Sequence, residues 1–308
     1  MLKQRVITAL VLAAILLASL LNELAWPFSA LTLVFITAAG WEWSRLNDAP
    51  GARAWLTGAA VAGGCVYAAQ VVGLPVWAST VLDNGLNVHP HVHGWGMPLA
   101  GFHVPSGVWA FACLLWVLGG AVVLRYGNTH WKRVSEFWRR LLGLLLLVVA
   151  WLALVESKAQ GLNFLLSVLC LVWAADIGAY FGGRALGRRK LAPSISPGKS
   201  WEGVRSGMVA VCVLAVLWMW ADASLGVDSP SLYSRLWMGL GPLGMLLALM
   251  FLVGMSVVGD LFESLVKRQA GVKDSSQLLP GHGGVLDRID ALLPTLPLSL
   301  AVLTLCHA

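Results

Sequence analysis

Residues 236–258 read LWMGLGPLGMLLALMFLVGMSVV and contain no charged side chain. A helix needs about 20 apolar residues to cross the hydrocarbon core of a bilayer, so this stretch predicts a membrane helix. Comparable blocks occupy residues 6–21, 141–155, 164–172 and 208–221. In a soluble domain the apolar residues would recur with helical or strand periodicity instead of forming long blocks. The sequence therefore predicts a membrane protein with several spanning helices.

The composition agrees with this prediction. Of the 308 residues, 58% are hydrophobic and 12% are charged, about half the charged fraction of a soluble protein. With no repeat or flexible linker in the sequence, we predict an all-α polytopic membrane bundle forming one domain, residues 1–308, whose catalytic part is residues 162–308. The predicted helices span residues 6–24, 27–43, 55–80, 106–124, 141–156, 162–181, 207–225, 236–258 and 291–306.

The first apolar run also has the features of a secretory signal. Lys3 and Arg5 precede it, and residues 28–30 could serve as a cleavage site. We favour a retained first helix because further membrane helices follow it. The five cysteines lie in apolar stretches without a CxxC pair, which is typical of small buried side chains and indicates neither disulfides nor a zinc site.

Basic residues are divided unevenly between alternate loops. Of the 21 Lys and Arg residues, only Lys158 and Arg235 fall on one side of the predicted helices. The positive-inside rule then places the N-terminus and both polar loops, residues 176–205 and 259–290, in the cytoplasm, as expected for an inner membrane protein. The net charge of +6 reflects this distribution and does not indicate nucleic acid binding.

The second polar loop contains five carboxylates between two predicted helices. Asp287 and Asp290 are three residues apart, so a helix would present both on one face. With Asp260 as a third carboxylate, they could hold Mg²⁺, which takes oxygen ligands from a few carboxylates and from substrate phosphates. The alternative is that these aspartates cap helices and pair with Arg288 and Lys267.

Residues 281–284 read GHGG. Such a segment can adopt positive φ and turn its amide N–H groups toward a phosphate. His282 could donate to a phosphate or transfer a proton, and it could equally well bond only to the backbone.

The first polar loop contains Gly198, Lys199 and Ser200, which resemble the end of a P-loop. Pro193 stands where that motif needs glycine, and no buried strand is expected before it, so we reject a P-loop. What remains is a basic loop that could hold a triphosphate through Ser196, Lys199 and Ser200.

Asp176 lies near the end of an apolar predicted helix, where a carboxylate has no ordinary place. It is either a ligand-site residue or a partner of Arg184. His89, His91 and His93 alternate like metal ligands, but they fall on the non-cytoplasmic side, and we favour a polar loop there.

Residues 264–290, SLVKRQAGVKDSSQLLPGHGGVLDRID, resemble the C-terminal motif of the phosphatidate cytidylyltransferases, also called CDP-diacylglycerol synthases. Residues 176–184 and 196–203 resemble the same family. The resemblance implies that CTP and phosphatidic acid give CDP-diacylglycerol and pyrophosphate in phospholipid biosynthesis. It also implies Mg²⁺, with a monovalent cation such as K⁺ beside it as a second cation. The implied metal and phosphate site comprises Asp260, Ser264, Lys267, Asp287 and Asp290.

Within that site we assign metal binding to Asp260, Asp287 and Asp290. A homodimer is compatible with so many apolar faces, although no motif specifies one. The expected substrate-binding residues are Asp176, Arg184, Ser196, Lys199, Ser200, Arg268, Lys273, Asp274, His282, Gly283, Gly284 and Arg288.

Three other functions fit a membrane protein with clustered charges. A CTP-dependent lipid kinase would release CDP instead of pyrophosphate. A CDP-alcohol phosphotransferase would need an aspartate spacing that this sequence lacks. A transporter would carry ionisable or helix-breaking groups near mid-membrane in two related halves, whereas these charges lie toward one face.

Overall fold

The computed structural model describes residues 2–22, 24–74, 76, 104–126 and 131–306. Helices dominate, and the two strands form one small antiparallel sheet. The elements are α1 (Leu2–Leu20), α2 (Trp26–Leu46), α3 (Ala52–Val72), α4 (Ser106–Tyr126), α5 (Glu136–Ala159), α6 (Leu162–Leu186), β1 (Lys190–Ala192), β2 (Ser196–Ser200), α7 (Trp201–Ser224), α8 (Leu232–Gln269), α9 (Leu286–Ile289) and α10 (Leu292–Thr304).

Each predicted helix has a counterpart, so the prediction of an all-α membrane bundle is confirmed. The prediction of nine spanning helices is not. Among the described residues, five helices are long and apolar enough to cross a membrane, namely α3, α5, α6, α7 and α8. Shorter apolar stretches lie at Leu10–Leu20 and Ser106–Val122. At 13 residues, α10 is shorter than the length a straight crossing requires. The histidine-containing segment at 89–93 lies outside the described residues.

The predicted polar loops are partly helical, which corrects the sequence interpretation. Helix α8 continues beyond residue 258 as far as Gln269. Its last turns bury Leu261, Phe262, Leu265 and Val266, which recur at helical spacing and form an apolar face. Because that face packs against the bundle, the polar side chains between these positions are held on a helix and not on a loop.

Helix α6 likewise extends to Leu186, and a β-hairpin that the sequence analysis did not predict follows it. In this hairpin, β1 and β2 pair with Lys190 opposite Ser200 and Ala192 opposite Ser196. The Glu202 carboxylate accepts hydrogen bonds from the backbone N–H groups of Arg188 and Arg189, at 3.0 and 3.1 Å. These bonds tie the start of the hairpin to the first turn of α7.

The centre of the bundle is α10, which packs against α4, α5, α6 and α8. Every residue from 293 to 300 on this helix is buried. The polar side chains of Thr295 and Ser299 satisfy themselves within the helix by donating to the carbonyls of Ala291 and Leu296. A short helix can occupy this position because neighbouring helices surround it.

Helices α6 and α7 approach closely along a seam of four glycines, which we call the glycine seam. It consists of Gly178 and Gly182 on α6 and Gly203 and Gly207 on α7. A Cβ at Gly207 would lie 2.6 Å from the carbonyl oxygen of Ala175. Small residues four apart let membrane helices pack backbone to backbone. The seam therefore fixes the start of α7, and β2 before it, against α6.

At the other end of α7, the Asp222 carboxylate is buried and fully hydrogen-bonded. Oδ2 accepts from the backbone N–H and hydroxyl of Ser231 and from the hydroxyl of Ser234, at 3.0, 2.5 and 2.6 Å. Oδ1 accepts from the amide of Asn163 at 2.9 Å. This network joins α6, α7 and α8 at the end of the bundle opposite the hairpin.

Candidate functional site

The predicted site residues converge at one end of the bundle, where α6 and α8 end, α7 begins and α9 lies. Two groups of residues form the site, and of their ten members only Glu263 and Ser275 were not predicted. The hairpin cluster comprises Asp176, Lys199, Asp260, Ser264 and Asp290. The loop cluster comprises Glu263, Lys267, Ser275, Gly284 and Asp287.

In the hairpin cluster, Lys199 of β2 reaches α8. Its Nζ lies 2.5 Å from Oδ2 of Asp260. The Ser264 hydroxyl, one helical turn further along α8, donates to Oδ1 of the same carboxylate at 3.2 Å. Asp176 on α6 interacts electrostatically with both Lys199 and Asp260. Three segments distant in sequence thus bring two carboxylates and one ammonium group together.

Asp290 lies at the end of α9 and belongs to the same cluster. Its Oδ1 accepts a hydrogen bond from the backbone N–H of Ala291 at 2.8 Å. Burial, and then the nearby charge of Asp260, raises the pKa of Asp290. Gly259 lets α8 approach this residue, because a Cβ at that position would collide with the Asp290 carbonyl oxygen. The site therefore concentrates negative charge where α8 and α9 meet.

In the loop cluster, Lys267 is the central cation. Its ammonium group forms an ion pair with Glu263 and lies 2.6 Å from Oδ1 of Asp287. The Glu263 side chain is only 2% exposed. Because a buried charge is costly unless it is paired, Lys267 is needed to hold these two carboxylates together.

The Asp287 carboxylate has a full set of protein donors. Its Oδ2 accepts from the N–H and hydroxyl of Ser275, at 2.9 and 3.0 Å, and from the N–H of Gly284 at 2.8 Å. Burial alone would raise the pKa of Asp287, but the hydrogen bonds with Lys267, Gly284, Glu263 and Ser275 together lower it to about 2. The sequence analysis gave ion pairs of the aspartates with Lys267 and Arg288 as an alternative. The ion pair between Asp287 and Lys267 is present, whereas within the described residues Arg288 forms none with Asp287.

The GHGG segment adopts the backbone expected of it at two positions. Gly281 and Gly283 have φ values of 78° and 84°. His282 contacts backbone: its Nδ1 lies 3.4 Å from the Pro280 carbonyl oxygen. Arg288 donates from Nε to the His282 carbonyl oxygen at 3.0 Å and so closes this turn.

The other predicted substrate-binding residues of α6 and the hairpin have different local roles. Arg184 donates to the hydroxyl of Tyr180 at 3.2 Å, and within the described residues it forms no ion pair with Asp176. The Ser200 hydroxyl caps α7 by accepting from the N–H of Gly203 at 3.1 Å. Ser196 begins β2.

In the last turn of α8 and just after it, three further predicted residues are exposed. Arg268 donates to the Val272 carbonyl oxygen at 3.3 Å, and Lys273 and Asp274 are exposed on the surface. Their substrate-binding roles remain predictions.

A further residue of the site that the sequence analysis missed lies on α2. Glu42, on α2, is 0% exposed, and its carboxylate accepts hydrogen bonds from the segment that carries Ser275 and Gly284. The sequence did indicate that Glu42 has a role, because a lone carboxylate within the apolar run predicted at 27–43 is costly without partners.

The arrangement can be tested for its fit to Mg²⁺. Among the described residues, no group of three or more His, Cys, Asp or Glu side chains is arranged to hold a metal ion. Mg²⁺ requires only one or two carboxylates when phosphate oxygens and water complete its shell. Asp260 and Asp290, whose charges interact, fit that requirement. Asp287 fits less well because its oxygens already accept four hydrogen bonds.

Comparison with known proteins adds to this geometry. Residues 3–306 match the profile of a family described as the cytidylyltransferase family. A Pseudomonas aeruginosa protein named phosphatidate cytidylyltransferase is 40% identical over 98% of this chain and 97% of its own length. A protein of the same name from Haemophilus influenzae is 37% identical over 96% of each chain. A Bacillus subtilis protein, again of that name, is 41% identical over 47% of this chain and 49% of its own.

Proposed function

We propose that this chain, which belongs to the cytidylyltransferase family, joins CTP to phosphatidic acid and releases CDP-diacylglycerol and pyrophosphate. One observation supports the proposal most directly. The chain matches this family over residues 3–306, and it carries a dense cluster of carboxylates and cations at one end of an apolar helical bundle. Such a site can receive a charged nucleotide from water and a charged lipid headgroup from the membrane.

In the proposed reaction, a phosphate oxygen of phosphatidic acid attacks the α-phosphorus of CTP. A new P–O bond forms as the bond to the β-phosphate oxygen breaks, and pyrophosphate leaves with the electron pair. The nucleophile is already an anion, so no strong general base is required. Positioning and neutralisation of charge do most of the work in transfers of this kind.

The chain's cations are placed for that task. Lys199 and Lys267 lie within the two clusters, where each contacts a carboxylate. Arg268, Lys273 and Arg288 are exposed on the segments that carry Lys267 and Asp287, so the nucleotide's phosphates would meet cations from several segments. We assign this neutralising role to Lys199, Lys267, Arg268, Lys273 and Arg288, and nucleotide binding to the turn at residues 281–284.

Mg²⁺ is part of the proposal, and Asp260 and Asp290 are the residues that would hold it. Asp287 joins them if Lys267 moves away from its Oδ1. When bound, the cation would neutralise charge that builds up on the phosphates during transfer. The monovalent cation such as K⁺, for which no described residue provides a separate argument, stays a prediction.

An apolar groove of about 580 Å³ between α7 and α8 supports binding of the lipid tails. Its lining includes Met208, Cys212, Leu217 and Met250. Arg205, in the second turn of α7, is a basic residue on the same lining. We assign the groove to an acyl chain of phosphatidic acid, whose phosphate charge complements Arg205. A homodimer contact remains an untested alternative for the exposed face of α7.

We also propose that the site faces the cytoplasm from an inner membrane. Lys158 and Arg235, the two basic residues expected on the other side, both lie at the end of the bundle opposite the hairpin. Lys158 donates to the Leu20 carbonyl oxygen at 2.5 Å, and Arg235 contacts Gln160. The basic residues around the site would then face the compartment that contains CTP.

The proposal is tested by incubating the purified protein with phosphatidic acid, Mg²⁺ and each nucleoside triphosphate in turn. We expect CTP to give a CDP-linked lipid and pyrophosphate in equal amounts. Release of CDP with a more highly phosphorylated lipid would instead identify a lipid kinase. If no lipid product forms from CTP with folded protein, the proposal is wrong.

A further inference from the structure

Glu42 is a buried carboxylate in the N-terminal part of the chain, on α2. It lies far in sequence from the segment that carries the loop cluster. A buried carboxylate is tolerated when hydrogen bonds replace the water it has lost. Its partners therefore indicate why the residue is present.

All four hydrogen-bond donors of Glu42 come from one segment, residues 275–286. Oε1 accepts from the Ser276 hydroxyl at 2.5 Å and from the Val285 N–H at 2.9 Å. Oε2 accepts from the Ser275 hydroxyl at 3.1 Å and from the Leu286 N–H at 2.7 Å. The carboxylate thus holds both ends of the GHGG-containing segment, which is also closed by the bonds of Asp287 to Ser275 and Gly284 and by that of Arg288 to His282.

One side chain connects Glu42 directly to the loop cluster. The Ser275 hydroxyl lies 3.1 Å from Oε2 of Glu42 and 3.0 Å from Oδ2 of Asp287. The contact is tight, because a Cβ at Gly284 would collide with both the Ser275 hydroxyl and the Glu42 carboxylate. Movement of Glu42 therefore moves the groups that hold Asp287 against Lys267.

We propose that Glu42 is a positioning residue of the site: it fixes residues 275–286 so that Asp287 and Asp290 are held at the end of α8. Glu42 has no exposed surface and cannot touch a substrate, so it acts through Ser275 and the start of α9. The inference rests on the proposed function. It assigns part of the active site to α2, in the half of the chain where only apolar helices were expected.

The test replaces Glu42 with glutamine, which keeps the side-chain shape. Either orientation of the amide turns an NH₂ group toward the N–H of Val285 or Leu286, and that N–H loses its acceptor. We expect kcat for CDP-diacylglycerol formation to fall about 10- to 100-fold, since a displacement of about 1 Å costs up to that much. The KM for CTP and for phosphatidic acid should change by no more than about twofold.

Asp222→Asn is the matched control. Asp222 is also buried and also accepts four hydrogen bonds, but at the opposite end of the bundle. This variant should lose as much thermal stability as Glu42→Gln and keep the kcat of the unaltered protein. Equal losses of kcat in both variants would show that Glu42 serves only the fold.

Hydrogen exchange provides a measurement that does not depend on activity. In Glu42→Gln, amides in residues 275–286 should exchange about tenfold faster or more, whereas Asp222→Asn should leave them unchanged. Unchanged exchange or a normal kcat in Glu42→Gln would overturn the inference. If Glu42→Gln does not fold, Ser275→Ala takes its place, with a smaller loss of kcat expected and the same criteria. Activity of the unaltered protein in the same assay separates failure of this inference from failure of the proposed function.

Discussion

Lys267 is the cation on which two buried carboxylates depend. Replacing it with methionine would leave Glu263 and Asp287 adjacent and without their common partner. Removing one partner of a buried ion pair costs about 3–5 kcal/mol, so we expect a loss of stability of that order together with a loss of turnover. Thermal unfolding in detergent measures the loss of stability. Arg268→Met, at the exposed neighbouring position, should shift the unfolding midpoint little, and an equal shift would contradict the assignment.

Asp260 offers a separate test of the metal site. Asp260→Asn keeps the side-chain volume and removes one of the two carboxylates that fit Mg²⁺. We expect turnover to fall by about 100-fold or more and half-maximal activity to require a higher Mg²⁺ concentration. A titration of turnover against Mg²⁺ measures both changes. Asp48→Asn, at an exposed carboxylate paired with Arg139, serves as the control, and its turnover should depend on Mg²⁺ concentration as that of the unaltered protein does. A normal Mg²⁺ titration for Asp260→Asn would refute the role of Asp260.

At the scale of single residues, the sequence predicted which side chains carry charge at the site but not all of their partners. The motif at 264–290 identified Lys267 and Asp287, and their pairing was one of the alternatives considered. The contact of Lys199 with Asp260 joins a hairpin to a helix, and no local pattern contains it. Glu42 was missed because its four donors lie more than half the chain away.

At the scale of elements, the glycine seam predicts a difference between two glycines that are both helical. A methyl group at Gly207 would press on the Ala175 carbonyl oxygen, whereas one at Gly63 on α3 meets open space. Gly207→Ala should therefore lower the free energy of unfolding by about 1–3 kcal/mol, because the added methyl group overpacks the contact. It should also lower activity, because α7 and β2 would shift relative to α6. Gly63→Ala should not lower the free energy of unfolding, and equal unfolding midpoints for the two variants would rule out a closely packed seam.

Hydropathy predicted where helices exist but not where they end. An apolar window ends where charged and polar residues become frequent, whereas a helix continues as long as one face can pack. This is why α8 extends beyond residue 258 to Gln269 and why α6 reaches Leu186. The hairpin was missed for a related reason: its strands are short and polar, and they form because Glu202 and the start of α7 hold their ends.

At the scale of the whole molecule, the proposed orientation can be tested by labelling. Arg188→Cys lies exposed near the hairpin, and Gly226→Cys lies exposed at the opposite end. An impermeant maleimide should label Gly226→Cys from the periplasmic side, and Arg188→Cys only in inverted vesicles. The unaltered chain gives the background from its native cysteines. The reverse pattern would place the site on the outer side and remove its access to CTP.

The length of α8 has a consequence for how the lipid is handled. The backbone of α8 is kinked at Gly241, and the part from residue 242 to Gln269 alone would measure about 42 Å, against about 30 Å for the hydrocarbon layer. The turns that carry Asp260 and Lys267 would therefore reach the level at which phospholipid phosphates lie. A lipid diffusing sideways would already be at the right depth on arrival. Neither an ascent out of the leaflet nor a carrier protein would be required, and supply would depend on two-dimensional diffusion within the sheet of lipids.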